Sequence, residues 1–187
     1  HLSDLGDLEA EEIAEEVAVG AVKYSLLKSD AKNDIAFDLK ESIALEGNSG
    51  PYLQYTYARA KSVLRKSQIS NLKSQTSSNT QNSNSPNVSN FDIRDSDLMP
   101  EELALLRTLY KFPETVESAA LNYSPHLLCT FLYDLAQKFN QFYNNVTILA
   151  SGRQLPAASF RLSLTAAVAQ ILKNGLYLLG ISAPERM

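Results

Sequence analysis

Four side chains in one short stretch have the types and spacing to act together on a ligand. Tyr52, Tyr55, Arg59 and Lys66 follow the turn-forming run Glu46-Gly47-Asn48-Ser49-Gly50-Pro51. Gly47 and Gly50 permit positive φ, and Pro51 pre-sets φ for the first turn of a helix predicted to run to about Ser67. Residues of a helix lie about 100° apart, so these four sort onto one side as an aromatic and basic stripe. Leu53, Tyr57, Ala60 and Leu64 take the other side and read as core. Two tyrosines followed by cations are what a surface needs to stack unpaired bases and hold the phosphates beside them. The same pattern suits a plainer arrangement, in which both rings are second-layer core and Arg59 pairs with a carboxylate. Periodicity does not separate the two.

The elements that must carry this stripe are helices. An amphipathic pattern from Leu8 to about Leu27 has Glu9, Glu11 and Glu12 at its positive amino end. Ile13, Val17 and Ala21, with Ala14 and Ala18, supply its apolar side. Ile35 to Asp38 reads as a short extended or turn segment, and Leu39 to Leu45 as one or two helical turns. Pro100, Glu101 and Glu102 open a helix to Lys111, and Glu114 to Leu121 a shorter one. Ser124 as N-cap and Pro125 at the first position then start a helix to about Tyr143. Its Leu128, Leu132, Leu135, Phe139 and Phe142 recur at spacings of four and three, the pattern of a bundle seam. A last helix spans about 157–179, with Leu164, Val168, Ile171 and Leu172 inward and Arg161 and Lys173 outward. Gly180 ends it, and 181–187 is a short extended tail. No alternating strand pattern occurs, so the predicted fold class is all-α, a helical bundle.

Charge divides the chain. Residues 1–47 carry twelve acidic and four basic residues, and residues 48–187 nine acidic and thirteen basic. The later part therefore holds the excess that phosphate binding requires locally, although the whole chain is at -4. One cysteine and two histidines leave no disulfide framework and no cluster with metal-ligand spacing. Cys129 reads as a buried thiol, and His126 as a surface or capping residue at a helix start. The longest apolar stretch is interrupted by Gln170, Lys173, Asn174 and Gly175, so it is not a membrane span. The start at His1 in place of methionine reads as a piece of a longer chain.

Gly47-Asn48-Ser49-Gly50-Pro51-Tyr52-Leu53-Gln54-Tyr55, with Ala58-Arg59, resembles the segment joining the catalytic core of arginyl-tRNA synthetases to their helical anticodon-binding domain. Tyr133-Asp134-Leu135-Ala136, Phe139-Asn140 and Phe142-Tyr143 are similar to the middle of that domain. Leu179 to Met187, ending Ala183-Pro184-Glu185-Arg186-Met187, is similar to the family's carboxyl terminus. The three motifs stand in family order. The resemblance implies that residues 1–47 are the tail of the catalytic domain and 48–187 the anticodon-binding bundle, with an insertion at about 67–95. It implies that the partner is arginine tRNA, with Tyr52 and Tyr55 facing the anticodon loop, Tyr143 beside them, and the Met187 carboxylate accepting a hydrogen bond from a base. Arg59, Arg161 and Arg186 are added as phosphate or stacking partners. The parent enzyme would use ATP and Mg2+, yet neither the His-Ile-Gly-His nor the Lys-Met-Ser-Lys type of signature is present, so this chain has no catalytic residues or cofactor of its own. A cytoplasmic monomer is implied. Two rivals stay open: a helical protein-interaction module, or the corresponding domain of another class I enzyme such as the cysteinyl one. Tyrosines that bind a protein would be insensitive to RNA; the run from Gly47 to Tyr55 with the Ala-Pro-Glu-Arg-Met ending favours the arginyl family over the cysteinyl.

The insertion is rich in Ser, Asn, Gln and Thr, with almost no hydrophobic residue after Leu72. It cannot bury enough apolar area to offset the entropy of ordering, which predicts a flexible segment. Residues 70–90 are expected to be mobile or weakly ordered, and their deletion to leave the thermal unfolding of the bundle nearly unchanged, as calorimetry would measure.

Overall fold

Proline and paired acidic residues start helices where the sequence places them. The computed structural model describes residues 6–76, 98–149 and 155–187; the predicted insertion from residue 77 onward lies outside them. The described helices are α1 (Asp7–Leu27), α2 (Leu39–Ser42), α3 (Gly50–Thr76), α4 (Pro100–Tyr110), α5 (Phe112–Leu121), α6 (Pro125–Asn145) and α7 (Leu155–Leu178). No strand occurs among the described residues. α3 continues to Thr76, beyond the expected end near Ser67. Residues 67–76 contain neither Gly nor Pro, and Ser67 Oγ bonds back to the Leu64 carbonyl within the helix, so nothing stops it there.

The core is the seam of α6. Leu128, Leu132, Leu135, Phe139 and Phe142 are all buried, and meet Leu53, Tyr57 and Ala60 of α3, Leu105 of α4 and Leu164, Val168, Leu172 and Leu176 of α7. Helix α3 lies against α1, α6 and α7, while α4 and α5 cover the other side of α6. Helix α1 contributes less than its pattern suggests. Ala21 and Tyr24 are buried, but Ala14 and Ala18 are exposed, as are Leu8, Val19, Val22 and Leu26. Between α1 and α3, Ile35, Phe37, Leu39, Ile43 and Leu45 are exposed as well.

The turn before α3 works differently from its expected form. Gly47 does take the left-handed conformation, at φ +83°. Gly50 does not; it is the first residue of α3, and a Cβ there would lie 2.5 Å from the Gly20 carbonyl oxygen of α1. Glycine is needed at that point for close approach of two helices. Ser49 caps α3, its Oγ accepting from the Tyr52 N–H at 3.2 Å and donating to the Ala44 carbonyl. The Tyr24 hydroxyl sits 2.6 Å from Asn48 Oδ1 and 3.1 Å from the Cys129 carbonyl oxygen, tying α1, the turn and α6 together. Ser124 precedes α6 as expected but does not cap it with its side chain; Oγ donates to the Asn122 carbonyl instead. At the other end of the chain, Gly180 (φ +68°) reverses the backbone after α7. Its N–H bonds to the Tyr177 carbonyl and that of Ile181 to the Leu176 carbonyl, both at 2.9 Å, a Schellman closure that sends the tail back along the bundle.

Leu132 packs against the bare backbone of Gly175, where a Cβ would collide with its methyl groups. Leu132→Ala is expected to lower stability by about 2–5 kcal/mol in urea unfolding, because α6 and α7 cannot close the space without moving the seam.

Candidate functional site

The helix that carries the stripe also lines a groove of about 990 Å³. Tyr55, Arg59, Arg65 and Lys66 of α3 form one wall. Tyr143 of α6 and residues 144–149 after it form the second, and Glu185, Arg186 and Met187 of the tail form the third. Five of the side chains expected at a binding surface thus come together: Tyr55, Arg59, Tyr143, Arg186 and Met187. A groove with ring faces, arginines and backbone amides can stack planar groups and hold anions beside them.

Arg59 sits inside this arrangement, not at its rim. Its guanidinium carbon is 4.7 Å from the Tyr55 ring centroid and 4.9 Å from that of Tyr143. One terminal nitrogen donates to Asn140 Oδ1 at 2.6 Å and the other to the Tyr55 hydroxyl at 2.9 Å. The Asn140 amide nitrogen donates in turn to the Tyr52 hydroxyl (2.9 Å) and to Thr56 Oγ1 (3.1 Å). One asparagine of α6 therefore joins three polar side chains of α3, and a fourth, Tyr55, through Arg59. Sequence reading quoted Asn140 only within a motif; that it stands three residues before Tyr143, on the same helical face, was the available signal.

Two expected site residues lie elsewhere. Tyr52 is not in the groove: its ring packs edge-on against Tyr133, with centroids 5.7 Å apart, and its hydroxyl is taken by Asn140. For this ring the plainer second-layer arrangement holds. Arg161 does not point outward to a ligand. Its Nε donates to Glu102 Oε1 at 2.7 Å, with the two side chains only 14% and 4% exposed. A buried carboxylate requires such a partner, and this requirement overrides the helical-wheel position. The same guanidinium donates to the Thr147 carbonyl, so Arg161 holds the segment that floors the groove. Arg65 of α3 and residues 144–149 line the groove without having been singled out; 146–149 follow the end of α6, where there is no periodicity to read.

The third wall is fixed by polar contacts to α3. Gln54, fully buried, donates through Nε2 to the Ser182 carbonyl (2.8 Å) and the Glu16 carbonyl (3.2 Å). Lys61 pairs with Glu185 at 2.9 Å, and the Tyr57 hydroxyl lies 3.5 Å from the same carboxylate oxygen. The Lys61 hydrogen bond holds the Glu185 carboxyl below the usual carboxylate range. Burial, aided by Glu185, pushes the Tyr57 hydroxyl up to about 12.

Residues 53–187 match the family model described as the DALR anticodon binding domain. The chain is 36% identical to the arginine–tRNA ligase of Flavobacterium psychrophilum and 38% identical to that of Phocaeicola vulgatus. These alignments cover 98% and 100% of this chain, which spans 28% of each relative's length. Among solved structures, the arginyl-tRNA synthetase of Thermus thermophilus superposes with a TM-score of 0.78 at 35% identity, over 99% of this chain and 29% of that one.

The tail's docking should depend on pH at both ends. Glu185 has a lowered folded pKa, so its contribution is complete above the unfolded carboxylate value and is lost as pH falls through the folded one. Tyr57 has a raised folded pKa, so its contribution is complete below about 10, the unfolded value, and is lost as pH rises through about 12. Amide NMR shifts of residues 181–187 are expected to stay constant between those limits and to move outside them. A single transition near neutrality would show that another group controls the tail.

Proposed function

This chain belongs to the DALR anticodon-binding domain family, and from that premise we propose that its groove receives the unpaired bases of a tRNA anticodon loop, as the carboxyl-terminal part of an arginyl-tRNA synthetase. The observation that carries the reading is the meeting of Tyr55 and Tyr143 with arginines from α3 and the tail around one groove. Bases of a loop are splayed out of a helix, so they can enter such a groove, stack on a tyrosine face and present their edges to polar groups on the walls. Arg186 and Arg65 supply positive charge where the ribose-phosphate backbone would pass. The partner we propose is arginine tRNA, because the relatives at 36–38% identity are arginine–tRNA ligases.

Attachment of arginine to that tRNA with ATP and Mg2+ is proposed for the longer protein. Neither ATP-handling signature occurs in this sequence, so we place that chemistry outside it. The role of this chain is to bind and discriminate. A cytoplasmic, monomeric protein is proposed with it; no helix among the described residues is long and apolar enough to cross a membrane.

Titration with arginine tRNA and with an anticodon-mutated copy tests this reading. The wild-type chain is expected to prefer the arginine tRNA. Stacking contributes on the order of 1–3 kcal/mol per base, so Tyr55→Ala is expected to weaken binding roughly 5- to 150-fold and to reduce the preference. Equal affinity for the two RNAs, with no effect of Tyr55→Ala, would overturn it.

A further inference from the structure

The arginine at the middle of the groove is the residue that simple electrostatics would give to a phosphate. Its geometry argues otherwise. The Arg59 guanidinium carbon lies over the ring of Tyr55 at 4.7 Å and over that of Tyr143 at 4.9 Å. Its two terminal nitrogens already donate to Asn140 and the Tyr55 hydroxyl. Two of its five N–H donors are thus committed within the protein, and the cation is held against two rings.

We propose that Asn140 is a positioning residue of the groove: through Arg59 it holds the rings of Tyr55 and Tyr143 at a fixed separation, with Arg59 acting as the spacer between them and not as a phosphate ligand. This inference rests on the anticodon-loop reading given above. Its chemistry follows from the amide. An asparagine has one acceptor and one donor group, and here their orientation is set by the partners. The oxygen faces a guanidinium, which can only donate; the nitrogen faces two hydroxyl oxygens, of Tyr52 and Thr56. Reversing the amide would set its NH2 against the guanidinium nitrogen, so one orientation is locked. Arg59 is then fixed by a planar fork, which a lysine cannot reproduce. A guanidinium held by this fork and in contact with both rings acts as a shim between them. A base then meets rings already in place and does not lose affinity to ordering them. Tyr52 enters the same network from behind, which explains a tyrosine at that position without a contact to RNA.

The two roles for Arg59 differ in what they predict. A phosphate ligand depends on charge and adds to the salt dependence, whereas a spacer depends on shape and acts on base preference. The experiment titrates the 187-residue chain with an RNA stem-loop carrying an arginine anticodon, and with its anticodon-mutated copy, at several salt concentrations. The variants are Arg59→Lys and Asn140→Leu, with thermal melting of each as a check on folding. Both variants are expected to weaken binding of the arginine stem-loop roughly 5- to 20-fold, the lower part of the stacking range, and to reduce the preference between the two RNAs. The slope of log affinity against log salt is expected to stay at the wild-type value. Arg59→Lys keeps the charge and changes only the fork, so it gives the readout even where Asn140→Leu melts early. If Arg59→Lys binds and discriminates as the wild type does, the spacer role is overturned. Arg59→Gln removes the charge, and a slope reduced by about 0.7 in that variant, with base preference intact, overturns it in favour of a phosphate contact. Failure of the wild type to bind either stem-loop would instead remove the anticodon reading, and this inference with it.

Discussion

A single buried amide decides where the chain's two ends meet. Gln54 is fully enclosed on α3, and its Nε2 reaches the backbone of α1 on one side and of the tail on the other. A buried amide nitrogen without partners would cost on the order of a few kcal/mol, so the side chain demands those two carbonyls where they are. The close approach of α1 follows from the same place, since a Cβ on Gly20 would stand 2.7 Å from that nitrogen. Small residues and one long amide replace what would otherwise be apolar packing between α1 and α3. The tail held by Gln54 then forms a wall of the groove.

Around that anchor, polar contacts are graded by burial. The Arg161–Glu102 pair is largely withdrawn from water and fixes the loop under the groove, while Lys61–Glu185 is partly exposed and fixes only the tail. Exposed pairs contribute about 0–1 kcal/mol, and removal of one member of a buried pair costs more because the other is left uncompensated. The floor of the groove is thus held more firmly than the tail wall. A groove proposed to receive a flexible loop of RNA can use that difference: the segment held by Arg161 keeps its register while the tail adjusts.

Much of this was legible in the residues. The seam of α6 announced itself through spacing alone, because five large apolar residues on one stripe have no other use in a short bundle. Pro51, Pro100 and Pro125 marked helix starts for a reason local to each. What sequence could not supply was the direction of polar side chains. Tyr52 and Arg59 share a helical face, yet one packs against Tyr133 and the other is enclosed by rings; the difference lies in Asn140, which is 88 residues from Tyr52. Arg161 followed its helical position outward on paper, but a buried Glu102 on α4 requires a cation there. The end of α3 was misplaced because composition at Ser67 changes without a residue that breaks a helix.

The Schellman turn at Gly180 has a consequence for how such a chain is made. Synthesis proceeds from the amino end, so residues 181–187 appear after every helix they dock on. The contacts that hold them, Gln54 to Ser182 and Tyr57 to Glu185, each span 128 residues, the costliest kind of closure during folding. A nascent chain can therefore assemble its bundle while the groove still lacks a wall. The wall that residues 181–187 supply is thus added after the bundle on which they dock.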